Sequence, residues 1–91
     1  MMYECHITTT VADVEEAENI ARNHGWKTSE IKRDPVLGDG SHFYLTAHDR
    51  NFQRIYTKMQ MVAHDLRNAG CQVLREKIEN IVYDTKTGVG I

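Results

Sequence analysis

His6 and Thr8 stand two residues apart in the run YECHITTTV over residues 3–11. An imidazole gives or takes a proton near neutrality, and a hydroxyl donates to the oxygens of an anion, so the pair could serve acid–base chemistry on a phosphate. A second set, His42, Tyr44 and Thr46, alternates through HFYLTAH, and a third, Arg75 and Lys77, through QVLREKIENIVYD. Imidazole, phenol, guanidinium and ammonium all donate hydrogen bonds. On neighbouring strands these residues would form a ligand-binding surface able to grip an anion. The same alternation also describes an antiparallel sheet with one wet face, which threonine suits equally well.

The remaining constellations point to structure rather than chemistry. His42 and His48 share a strand face but lie roughly 20 Å apart along it, too far to share a metal. Asp49, following His48, reads as the cap of the next helix. His64 and Asp65 fall on the outward side of that helix. The loop Gly38-Asp39-Gly40-Ser41 lacks the lysine and following helix of a phosphate loop and reads as a hairpin turn. Cys5 and Cys71 have no Cys-x-x-Cys spacing and are expected to be two reduced structural thiols. No metal site and no cofactor is expected.

The elements that must position these residues follow from periodicity. In the run 3–11, Tyr3, Cys5, Ile7 and Val11 take one face of a strand and Glu4, His6, Thr8 and Thr10 the other. Asp13 with Glu16 forms a capping-box variant, and Val14, Ala17, Ile20 and Ala21 recur at helical spacing until Gly25, so a helix is predicted over 14–24. WKTSEIKR, residues 26–33, reads as a polar edge strand ended by Asp34-Pro35. A turn over 34–41 precedes a strand with Phe43, Leu45 and Ala47 inward. The longer helix begins near Asp49 or Asn51, carries Phe52, Ile55, Tyr56, Met59, Val62, Ala63 and Leu66 on its apolar side, and ends at Gly70. The last strand, ending near Asp84, puts Leu74, Ile78 and Val82 on one face and Arg75, Lys77 and Glu79 on the other. Residues 85–91 are expected to be a flexible C-terminal tail after one domain over 1–84.

Strand, helix, strand, strand, helix, strand is the order of two split βαβ halves. An internal echo supports duplication: Arg22-Asn23-His24-Gly25 closes the first helix and Arg67-Asn68-Ala69-Gly70 the second. The predicted fold is α+β, a ferredoxin-like βαββαβ sandwich with a four-stranded antiparallel sheet and both helices on one face. The strands carrying His6 and His42 would then lie side by side in the centre.

His6-Ile7-Thr8 resembles the His-x-Thr signature of the two-histidine phosphoesterases, the RNA ligase-like and cyclic phosphodiesterase superfamily. The resemblance implies a metal-free site on a duplicated sheet, where one histidine acts as base, another as acid, and threonines hold the phosphate. It makes His6 an acid or base and Thr8 a phosphate ligand. The corresponding strand reads Tyr44-Leu45-Thr46, so the second histidine would come from His42 or from His6 of a partner chain.

A formal net charge of −2 over 91 residues supplies no general field toward nucleic acid or an anionic membrane. No stretch of eighteen apolar residues occurs and no basic leader precedes MMYECH, so a cytoplasmic chain is expected. The expected function is that of a small homodimeric module binding a ligand, such as a small phosphate-containing molecule, or a protein partner on its open sheet face. A phosphodiesterase-like enzyme is the alternative. An RNA-binding domain comes last, since only Tyr44 and, at an edge, Trp26 could stack bases while Glu4 and Glu79 repel phosphate.

Overall fold

The alternation of the N-terminal run becomes β1, Met2–Thr10, in a computed structural model of the chain. The structure describes residues 1–10, 14–34, 38–81, 83–84 and 89–90, with backbone alone at 31–34, 38–41, 83–84 and 89–90. After β1 come α1 (Val14–His24), β2 (Lys27–Asp34), β3 (Gly38–Asp49), α2 (Phe52–Asn68) and β4 (Val73–Ile81). Two short strands, β5 (Tyr83–Asp84) and β6 (Val89–Gly90), pair with each other. The main sheet has the order β2-β3-β1-β4 with antiparallel neighbours, so β1 and β3 are its central strands. Among the described residues no helix is long and apolar enough to cross a membrane.

Both helices pack on the face carrying Cys5, Ile7, Phe43 and Leu45, and their own buried residues, Ala17, Ile20 and Ala21 of α1 and Ile55, Met59, Val62, Ala63 and Leu66 of α2, complete a single core. Burial pushes the Cys5 thiol up to about 12, with the nearby Glu76 charge adding to the effect. Thr9, which belongs to this face by alternation, is fully buried. Its hydroxyl donates to the Gln72 carbonyl at 3.0 Å, and the Thr10 N–H donates to the same oxygen at 2.9 Å. The Gln72 N–H returns a bond to Thr10 Oγ1, so the end of β1 is tied to the approach to β4 where the register shifts.

The repeated Arg-Asn-x-Gly sequence is expressed as a repeated structure. Trp26 N–H donates to the Ala21 carbonyl at 2.8 Å and Cys71 N–H to the Leu66 carbonyl at 3.0 Å, six-residue closures around Gly25 and Gly70. Both glycines have positive φ, 76° and 85°, which a side chain would strain. The residue after each glycine, Trp26 or Cys71, is buried. Trp26 therefore belongs to the core and not to an edge from which it could stack on a base.

At the start of α2, Asn51 is the cap, its side chain accepting from the Arg54 N–H at 2.8 Å. Asp49 does different work. Only 8 % exposed, its carboxylate accepts from the Asn51 N–H, from Arg54 Nε at 2.7 Å and Nη2 at 2.6 Å, and from Lys58 Nζ at 3.4 Å. The Arg54 hydrogen bonds, helped by the Asn51 N–H and by Lys58, hold this carboxyl well below the usual carboxylate range.

Other expectations are revised as well. Gly38, Asp39, Gly40 and Ser41 are not a hairpin turn but the first residues of β3, with Asp34 paired to Gly38, because the connection needs only the three residues between them. The final strand stops at Ile81, and β5 and β6 follow it. Asp65 is half-buried rather than solvated, its Oδ2 bonded to His24 Nε2 at 2.7 Å, which staples the end of α1 to α2. His64 is exposed, as expected. Val11, Asp13 and Val82, expected in the core or as a cap, lie outside the described residues, as do 85–88 and 91 of the expected tail.

Candidate functional site

The antiparallel register aligns the outward side chains of β3, β1 and β4 in rows across the sheet. His48, Glu4 and Glu79 form one row, Thr46, His6 and Lys77 the next, and Tyr44, Thr8 and Arg75 the third. His42 lies opposite Thr10 at the end. All sit on the face opposite Cys5, Ile7, Phe43 and Leu45, because side chains alternate along each strand. Every site residue expected from sequence, His6, Thr8, His42, Tyr44, Thr46, Arg75 and Lys77, is on this one face.

The His48 and His6 rows are knitted together. His6 Nε2 donates to Glu4 Oε1, and His48 Nε2 donates to Glu4 Oε2 at 2.6 Å. One carboxylate thus serves two imidazoles. His6 Nδ1 is 3.1 Å from Thr46 Oγ1, and a hydroxyl can donate or accept there, so the ring is held in either protonation state. Glu79 Oε1 lies 3.6 Å from His6 Nε2 and 3.0 Å from Lys77 Nζ. Partial burial pulls the Glu4 carboxyl upward, but the His48 hydrogen bond, the His6 charge and the His6 hydrogen bond outweigh it, and the group lies below its ordinary value.

The Thr8 row has the opposite character. Thr8 lies in register between the long side chains of Tyr44 and Arg75 and is 5 % exposed. Among the described residues no hydrogen bond or ion pair engages the Tyr44 hydroxyl, the Thr8 hydroxyl or the Arg75 guanidinium. His42 Nδ1 is buried and also unpartnered. This half of the face holds donors without acceptors, whereas the other half holds acceptors already supplied with donors.

No family model matches the chain, and no curated protein matches it. Function must therefore be argued from these rows.

From sequence, Glu4 reads as an outward charge that repels phosphate and His48 as an outward residue too far from His42 to share a metal. What joins them is register, since Glu4 pairs with His48 across the β1–β3 ladder. Alternation puts both residues on the outward face, but only the long-range β1–β3 register brings them opposite each other. His42, expected as a second catalytic histidine beside His6, pairs four residues along β3 from Thr46, the partner of His6. That is roughly 13 Å of strand, so the histidine sharing a group with His6 is His48.

Proposed function

We propose that the chain is a ligand-binding module whose open sheet face holds a small phosphate-containing molecule. The observation that carries this reading is the row Tyr44–Thr8–Arg75, three donors with no acceptor among the described residues. Arg75 can present two parallel N–H groups to a phosphate, and the two hydroxyls complete a cradle across roughly 10 Å of sheet. Thr46 and Lys77 stand one row away, within reach of a larger ligand, and His42 one row away on the other side.

The reading includes the ferredoxin-like sandwich, with β1α1β2 and β3α2β4 as its two halves. Central β1 and β3 and the matching helix ends at Gly25 and Gly70 support that assignment. It also includes pairing with a second copy, since a chain of 91 residues has a modest core of its own. Sedimentation at two concentrations tests the pairing, and a concentration-independent monomer mass refutes it. Binding is favoured over turnover within one chain because Thr46, the β3 partner of His6, lies four residues from His42, roughly 13 Å of strand, too far for the two imidazoles to trade protons across one phosphodiester.

Proton NMR titration of the five histidines with inorganic phosphate and with cyclic and linear nucleotides tests the site. Binding at the Thr8 row should move the His42 and His6 signals, and Arg75→Ala should weaken that response at least tenfold while leaving the fold intact. If phosphate and every nucleotide leave both signals unmoved, the face does not bind such ligands.

A further inference from the structure

We propose that Glu4, His6 and Glu79 form a binding site for a divalent transition-metal ion of the zinc class. Their ligand atoms, one from each side chain, lie within 4.8 Å of one another. Zinc bound at about 2.1 Å by nitrogen and oxygen sets tetrahedral ligands about 3.4 Å apart, and His6 Nε2 and Glu79 Oε1 already stand 3.6 Å apart. Glu4 Oε1, bonded directly to Nε2, need only rotate aside to admit the ion. Two carboxylates and a neutral imidazole match a doubly charged cation, and the fourth position stays open to water or a ligand.

The surroundings of these ligands suit the same purpose. Metal binding at Nε2 requires the ring proton on Nδ1, and Thr46 Oγ1 sits 3.1 Å from Nδ1, placed to accept a hydrogen bond from that N–H. Histidine ligands are commonly oriented by such a partner. On the other side, His48 holds the second oxygen of Glu4 and fixes how the first is presented. An imidazole among the ligands selects against calcium and magnesium, which prefer oxygen alone. Sequence alone shows no sign of a metal site because Glu79 of β4 joins Glu4 and His6 of β1 only through the long-range pairing of Glu4 with Glu79.

Lys77 is a competitor, since its ammonium lies 3.0 Å from Glu79 Oε1 where the cation would bind. The three ligands are separate from the anion row Tyr44–Thr8–Arg75, which uses none of them.

Calorimetric titration of the full chain with zinc chloride, with cobalt absorption as a probe of geometry, tests the assignment. One zinc per chain is expected, undisplaced by millimolar magnesium. His6→Ala and Glu4→Gln should weaken binding at least a hundredfold, Thr46→Val about tenfold, and Lys77→Met should tighten it several-fold. His64→Ala and Arg75→Ala should leave it unchanged. No saturable site, or a site that survives His6→Ala, overturns the proposal. If His6→Ala fails to fold by circular dichroism, Glu79→Gln and Thr46→Val decide instead, and unchanged affinity in both overturns it. Zinc binding retained in Arg75→Ala while phosphate binding is lost would separate this site from the phosphate reading.

Discussion

Leu66→Ala should destabilise the chain by about 2–5 kcal/mol, the range for removing a fully buried leucine and leaving part of its cavity. Leu66 has no exposed surface and sits in the last turns of α2, in the same core cluster as Ile7 and Leu45 of the central strands. Its carbonyl also closes the helix end through Cys71 N–H, so relaxation into the cavity is limited by a bonded backbone. Domains of this size are stable by only about 5–15 kcal/mol in total, and each kcal/mol moves the melting temperature by about 4–8 °C. A drop of about 8–40 °C is therefore expected in a thermal melt. Ile55→Ala, at an equally buried position on the same face of α2, should behave alike. Met61→Ala, at a position 53 % exposed on the same helix, should change stability by no more than about 0.5 kcal/mol. Equal melts for Leu66→Ala and Met61→Ala would refute the assignment of the buried side of α2.

Asp49→Asn should remove a stability that depends on pH. The Asp49 carboxyl lies below its ordinary value in the folded chain, chiefly through Arg54. A group with a lowered folded pKa contributes stability that is present in full above its unfolded value, about 4, and is lost as pH falls through the folded value. At pH 7 the wild-type chain should melt several degrees above Asp49→Asn. The gap should narrow steadily below pH about 4, because acid neutralises in the wild type what the substitution neutralises outright. Asparagine keeps an acceptor for the Asn51 N–H, so the charge pairing with Arg54 and Lys58 is what disappears. Arg54→Ala should be worse than Asp49→Asn at neutral pH, since it leaves a nearly buried carboxylate with the Asn51 N–H and, for a counter-charge, only the more distant Lys58. A gap between wild type and Asp49→Asn that is constant from pH 7 to pH 3 would count against the ion pair's role.

Where a segment carried its own start and stop, the sequence was enough. The first helix is Val14–His24, as the apolar spacing and Gly25 require, and β1 alternates as its side chains do. Sequence reading failed where a choice depended on distant chain. Gly38-Asp39-Gly40-Ser41 looks like a turn in isolation, yet pairing with β2 draws it into β3. Asp49 resembles a helix cap, but Asn51 is better placed to accept from the first turn, and Asp49 is left to the cations of α2. Trp26 has strand character, but the closure of α1 around Gly25 turns its ring into the core.

The candidate site was legible as a list and illegible as an arrangement. Alternation alone puts His6, Thr8, Tyr44 and Arg75 on one face. It does not say that Glu4 faces His48, because sliding one strand by a residue would send these side chains to the other face. The bonds of Thr9 and Thr10 to Gln72 anchor β1 beside β4, and they come from a residue 62 or more positions away in the chain.

Cys5 turns the core into a chemical clock. Attack by alkylating reagents and oxidants requires the thiolate, and a thiol pushed up to about 12 beneath α2 supplies almost none at neutral pH. The folded chain is thus shielded twice, by exclusion of the reagent and by suppression of the reactive form. Both barriers fall together only when the sheet parts from its helices. The rate of Cys5 modification would then count openings of the molecule rather than collisions with its surface.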